Sequence, residues 1–244
     1  MPSPFVETLL AARLPLVMEV KRRTAEGVEL IGDRTIPEIV SEYLAAGAPC
    51  ISVVTGRWFG GDDEMLSEVA GLTDVPLLKK DFIVRESQIE GAKEMGASAI
   101  LLTARILPKS TFQSLIETTL RHGLTPFVEV ADHDELESVV HAEDCIVAVN
   151  NKDIREQERG EGDIDLSRSL LEATLETGTP CPVSASAITD PKVAAELVDA
   201  GFRGLLIGTG LLLSDNVQGW VDDFERHRGA LADAKAATGT GEAR

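Results

Sequence analysis

The sequence predicts a single parallel (β/α)8 barrel, and three observations predict it. Eight short apolar runs recur along the chain, and amphipathic segments fill the gaps between them. The length, 244 residues, is close to the roughly 250 that such a barrel takes as one unit. Composition agrees: 43% of residues are hydrophobic but only 4% aromatic, as suits an interior filled by Val, Ile, Leu and Ala.

The runs, in order, are LVMEV (16–20), CISVV (50–54), PLLKKD (76–81), SAILLT (98–103), TPFVEV (125–130), CIVAVN (145–150), CPVSAS (181–186) and GLLIG (204–208). Each is too short for a buried helix and ends at polar or glycine residues, so each reads as a strand covered on both faces. Between them lie IPEIVSEYLAAG, ESQIEGAKEMG, STFQSLIETTLRHG, DHDELESVVHA, LSRSLLEATLETG and DPKVAAELVDAG. These have helical periodicity, and several close on glycine, the residue a left-handed C-cap favours. Strand then helix, repeated, implies right-handed crossovers and a parallel sheet, and eight repeats favour closure. An open doubly wound sheet would carry a glycine-rich dinucleotide turn after an early strand, and none follows the first. The barrel domain is expected over residues 1–228, with the small, polar stretch 229–244 as a flexible tail.

The formal net charge of −18 opposes binding to phosphate backbones and anionic lipid, so neither nucleic acid nor membrane is an expected partner. A small anion is still admissible, because local lysines and backbone amides can build a cationic pocket inside an acidic shell. Cys50, Cys145 and Cys181 are far apart and sit in apolar runs, which reads as buried thiols of a reducing compartment. With no leader-like start and no span-length apolar stretch, a cytoplasmic location is expected.

Catalytic groups of such barrels come from the C-terminal strand ends. The ionisable or polar residues there are Glu19 and Lys21, Lys79, Lys80 and Asp81, Glu129, then Asn150, Lys152 and Asp153. Charges in apolar strands are costly unless paired or functional. Lys80 and Glu129 stand one strand apart, so inward side chains can meet at the mouth as an acid and base pair; an inert buried ion pair fits the same residues. Lys79 should alternate outward. Ser186, after the seventh strand, and Gly208 and Thr209, after the eighth, mark the usual phosphate site of the fold, with Lys21 as countercharge. The loop TGRWFGGDDEM (55–65) either folds its aromatics over an aryl ring or buries them against the rim.

The blocks MEVKRRTAEG, VVTGRWFGG, LLKKDFIVRESQI, FVEV, VNNKDI, VSASAI and LIGTGLL resemble, in order, those of the indole-3-glycerol phosphate synthase family. The resemblance runs from about residue 16 to residue 215, and KKDFIVRESQI is its most specific part. It implies ring closure of 1-(2-carboxyphenylamino)-1-deoxyribulose 5-phosphate with loss of carbon dioxide and water, a carbon–carbon lyase step of tryptophan biosynthesis. It makes Lys80 the general acid on the ribulose carbonyl and Glu129 the general base in dehydration, with Glu19 assisting proton transfer. Lys21 would hold substrate anions, Asn150 and Lys152 would bind substrate, and Ser186, Gly208 and Thr209 would bind phosphate. Phe59 and Leu101 would line the aryl pocket. No cofactor and no metal are implied, and the four histidines, His122, His133, His141 and His227, form no ligand motif in the sequence.

The chain departs from the family pattern at three places. Thr24, Ala25 and Glu26 stand where Ser-Pro-Ser is usual, and Lys152 where arginine is usual. Ala185, Ser186 and Ala187 replace Glu-Ser-Gly, removing a carboxylate and adding a methyl where backbone would approach phosphate. Glu26 is a candidate to swing in as a substitute. Two alternatives therefore stand beside a working synthase: a diverged paralogue acting on a related phosphorylated substrate in secondary metabolism, and a non-catalytic barrel that binds a phosphorylated ligand.

Overall fold

A computed structural model describes residues 4–152 and 162–239. Its strands are β1 (Leu16–Val20), β2 (Cys50–Val54), β3 (Leu77–Lys80), β4 (Ala99–Thr103), β5 (Thr125–Val130), β6 (Ile146–Asn150), β7 (Cys181–Ala185) and β8 (Gly204–Ile207). These match the eight apolar runs to within a residue at each end. All neighbours pair in parallel, and β8 returns to β1 to close the barrel. The helices are α1 (Pro4–Ala11), α2 (Ile36–Ala45), α3 (Asp63–Ala70), α4 (Glu86–Glu94), α5 (Lys109–Arg121), α6 (His133–Leu136), α7 (Ile164–Glu176), α8 (Pro191–Ala200), α9 (Thr209–Leu212) and α10 (Val217–Gly239). No helix among the described residues is long and apolar enough to cross a membrane.

Local chemistry decides where the helices begin. Thr35 and Glu38 form a capping box at the start of α2, and Pro37 occupies its first turn, where a missing N–H costs nothing. Asp62 caps α3 by accepting from the Met65 N–H, and Asp190 caps α8 by accepting from the Lys192 N–H. The segment read as one helix over DHDELESVVHA is helical only at His133–Leu136. There the Ser138 hydroxyl takes the Glu135 carbonyl at 2.6 Å, the Ser138 N–H bonds the same carbonyl in an i to i+3 turn, and β-branched Val139 and Val140 follow. These bonds replace the next helical turn. At the other end, α10 continues to Gly239, past residue 228 and into the stretch expected as tail.

Strand alternation splits the core in two. Met18, Val53, Ile100, Val128, Val149 and Ile207 are among those facing the helices in one cluster. Val17, Leu78, Leu101, Phe127, Ala148 and Val183 face the barrel axis in the other, with Phe5, Val6 and Leu9 of α1 plugging the bottom. Phe5 meets Phe127 edge-on at 6.5 Å between ring centroids, and burying each such side chain contributes roughly 2 kcal/mol. Gly204 makes room for the plug: a Cβ there would come within 3.0 Å of Leu9 and of Val183. With the floor filled by apolar residues, the next inward position on β1, β3, β4, β5 and β6 is where polar groups appear.

The cysteines fit this packing. All three are buried and free, and burial pushes the Cys145 and Cys181 thiols up to about 12, so neither is a nucleophile at neutral pH.

Candidate active site at the strand ends

Two residues beyond the inward Val17, Leu78, Leu101, Phe127, Ala148 and Val183 stand Glu19, Lys80, Thr103, Glu129, Asn150 and Ala185. The same alternation that fills the barrel floor therefore lines its mouth with buried polar side chains, Ala185 excepted. Outward Lys79 is different: it is buried with its ammonium paired to Asp63 of α3, a structural ion pair, as the alternation predicts.

Glu19 is the electrostatic hub. Its carboxylate lies 2.9 Å from the Lys21 ammonium and 3.7 Å from that of Lys80, and the backbone beneath it is pinned by the Tyr43 phenol, which donates to the Glu19 carbonyl at 3.0 Å. Burial works to raise the Glu19 carboxyl, but the two lysines outweigh it, and its pKa lies below the ordinary 4.5. Glu19 is thus a carboxylate at neutral pH. Since the folded value is the lower one, its contribution to stability is complete above pH 4.5 and disappears as pH falls through the folded value. Glu19→Gln is expected to flatten that part of the acid limb, as denaturant melts taken from neutrality into acid will read.

Among the described residues, three cavities at this end carry the candidate groups. The first, about 120 Å³, is lined by Glu19, Lys21, Thr24, Lys80 and Lys152, and by the turns Ser186–Thr189 and Leu206–Gly210. Lys21 also donates to the Thr209 hydroxyl at 3.3 Å, and Lys21, Lys152, Ser186, Gly208 and Thr209 share the wall of this one cavity. Glu19 is the one acid on this wall among the described residues. The second, an apolar crevice, is lined by Val54, Gly56, Phe59, Lys80, Asp81, Phe82 and Leu101. The third is lined by Thr103, Arg105, Glu129, Val130, Ala131, Glu135, Asn150 and Lys152. Lys80 borders the first two, and Lys152 the first and third.

The aromatic loop buries one of its two aromatics at the mouth and leaves the other exposed, so only Phe59 takes up an expected arrangement. Phe59 is 7% exposed and lies 6.0 and 5.8 Å from the Lys21 and Lys80 ammoniums, within cation–π range. Trp58 is 52% exposed. The Arg23 guanidinium holds the turn by donating to the Arg57 and Trp58 carbonyls. Gly61 is obligatory here: a Cβ would fall 2.0 Å from the Val54 carbonyl oxygen. Glu26 is exposed in a turn closed by the Gly27 N–H on the Thr24 carbonyl; it does not line the first cavity. Asp153 lies outside the described residues.

Ala185 is fully buried between Asn150 of β6 and Leu206 of β8, so the missing carboxylate would have faced inward. Ser186 and Ala187 follow at φ 67 and 60, a left-handed pair that costs roughly 1–2 kcal/mol per non-glycine residue. Ala187→Gly is therefore expected to stabilise the fold by up to about 1 kcal/mol once the greater freedom of the unfolded chain is counted.

Asn151, next to the mouth residue Asn150 and without a signal of its own in the sequence, holds that strained pair. Its amide donates to the Ser184 hydroxyl and to the Ala185 and Ser186 carbonyls at 3.0–3.1 Å. Its oxygen accepts from the Ser167 N–H and hydroxyl. The Asn-Asn doublet at a strand end was the available signal: Asn150 points to the mouth, so the next residue points into the surrounding layer, where an amide needs a full set of partners. Asn151→Ala should cost about 3 kcal/mol by stranding several of them; a thermal melt should fall by roughly 6–12 °C.

One grouping departs from the sequence expectation about histidine. The ligand atoms of His122, Glu86 and Glu90 lie within 4.8 Å of one another. The grouping is on the outer surface of α4 and the end of α5, away from the three cavities, and Arg121 lies 3.4 Å from Glu86.

The family model for indole-3-glycerol phosphate synthase matches residues 2–224. The chain is similar to the indole-3-glycerol phosphate synthase of Pyrococcus furiosus, 34% identical over 210 residues that cover 84% of this chain and 89% of that protein. It is 35% identical over 194 residues to the enzyme of that name from Bacteroides thetaiotaomicron, covering 79% and 72%. It is also 35% identical over 225 residues to the tryptophan biosynthesis protein TrpCD of Archaeoglobus fulgidus, covering 89% of this chain and 39% of that longer protein.

Proposed function

The chain belongs to the indole-3-glycerol phosphate synthase family, and we propose that it closes the indole ring of 1-(2-carboxyphenylamino)-1-deoxyribulose 5-phosphate with loss of carbon dioxide and water. It is a decarboxylating carbon–carbon lyase of tryptophan biosynthesis. The observation that carries this reading is the position of Lys80, on the shared wall of an apolar crevice and a cationic cavity. The substrate has an aryl ring at one end, a phosphate at the other and the reacting carbonyl between them. A buried ammonium between an apolar and a cationic compartment matches that order.

The roles follow from the surroundings. Phe59, Phe82 and Leu101 take the aryl ring, while Lys21, Ser186, Gly208 and Thr209 take the phosphate. Lys80 protonates the ribulose carbonyl as the ring carbon attacks it, which a charged lysine in a dry site does at low reorganisation cost. Glu19 keeps that charge in place and exchanges protons with Lys80 and Lys21. Glu129, beside Asn150 and Lys152 in the third crevice, takes the proton released in dehydration. Lys152 reaches the space between phosphate and base as a point charge.

Indole-3-glycerol phosphate formation, followed by product fluorescence, tests the reading. Glu129→Gln is expected to lower kcat by 10²–10⁴-fold, the usual worth of a general base. Ala185 and Ala187 favour a second reading, a paralogue that binds phosphate in the same cavity but processes a related substrate. A wild-type chain that binds inorganic phosphate without forming the indole product would select it.

A further inference from the structure

We propose that the Thr103 hydroxyl is a substrate contact, hydrogen-bonding the polyol chain beside Glu129. The inference rests on the reading of this mouth as a ring-closing site. Thr103 ends β4, the strand between β3 and β5, and pairs in register with Glu129. It is inward because Leu101, two residues earlier, faces the axis. It is 4% exposed, and its Oγ1 makes no hydrogen bond.

A buried hydroxyl without a partner weakens a fold relative to a valine of the same shape. The strand before it, AILL, is wholly apolar, so packing gives no reason for a hydroxyl. The crevice does. Thr103 shares its wall with Arg105, Glu129, Asn150 and Lys152, a set of carboxylate, amide and cationic groups that suits a ligand group able both to donate and to accept, as a sugar hydroxyl does. The aryl ring and the phosphate have other compartments, which leaves the carbon chain between them for this one. Ser52, another buried hydroxyl without a hydrogen bond, lines none of the three cavities, and the same inference does not extend to it.

Thr103→Val and Thr103→Ser in the full chain test the proposal, with steady-state ring closure and thermal melts measured on each. Valine is expected to lower kcat/KM about tenfold while Tm holds or rises, and serine, which keeps the hydroxyl, should stay within about threefold of wild type. Undiminished kcat/KM in Thr103→Val overturns the contact. So does an equal loss in both variants, or a loss that follows a lowered Tm, since either places Thr103 in packing. An inert wild type in the same assay defeats the ring-closure reading and the contact together, whereas an active wild type with an unimpaired valine variant defeats the contact alone.

Discussion

Lys80→Met removes ring closure: kcat is expected to fall by 10³-fold or more, the upper range for loss of a general acid that also stabilises developing charge. Methionine fills nearly the same volume, so the apolar crevice and the cationic cavity keep their walls. What disappears is the ammonium 3.7 Å from Glu19. Glu19 retains Lys21 at 2.9 Å, so it is not left as a bare buried charge, and Tm should move little. Substrate affinity, measured by quenching or calorimetry on the inactive variant, should change far less than kcat. Turnover surviving at a tenth of wild type or better would move the acid elsewhere, with Lys21 the next group to examine.

Gly208→Ala is the second large effect, and it follows from space rather than from chemistry. A Cβ on Gly208 would fall 2.3 Å from Glu19 Oε1 and 3.0 Å from its carboxyl carbon. Glu19 cannot retreat cheaply, because its carboxylate is buried and paired with Lys21 and Lys80. The turn after β8 cannot retreat freely either, because the Leu211 and Leu212 N–H groups both bond to the Gly208 carbonyl. One methyl group therefore disturbs the Glu19–lysine cluster and the turn after β8 together. Overpacking of this kind costs typically 1–3 kcal/mol, and a misplaced cluster costs on the order of 10²-fold in rate. The expected result is a kcat/KM at least 10²-fold down with a lowered Tm. A variant with wild-type kinetics would mean that the Glu19 carboxylate leaves Gly208 in the working enzyme.

Much of this site is legible in the chain because a parallel barrel converts sequence order into position. The inward residues Leu78 and Lys80, or Phe127 and Glu129, differ only in depth along one strand, so a charge at the end of an apolar run already reads as a mouth residue. The departures were legible too: Ala185 could be seen to lack a carboxylate before its inward direction was known. Asn151 was not, because its importance lies in five hydrogen bonds to β7, the turn after it and α7, groups from 16 to 35 positions away. Thr103 was not, because a threonine at a strand end carries no signal until its hydroxyl is seen to be buried beside Glu129.

The sequence by itself determined the eight strands, their parallel order and the row of polar residues at their ends, since all three depend on periodicity of two and on the recurrence of local patterns. Only the tertiary structure decided which polar groups touch. It set Glu19 between two lysines, turned Phe59 in and Trp58 out, and pressed Gly208 against a carboxylate. It placed Lys80 on two cavity walls and kept Glu26 off the wall of the first cavity. These outcomes depend on distances across the barrel between residues far apart in the chain, and such distances are fixed by closure of the sheet and by close packing, neither of which is written in a local stretch of sequence.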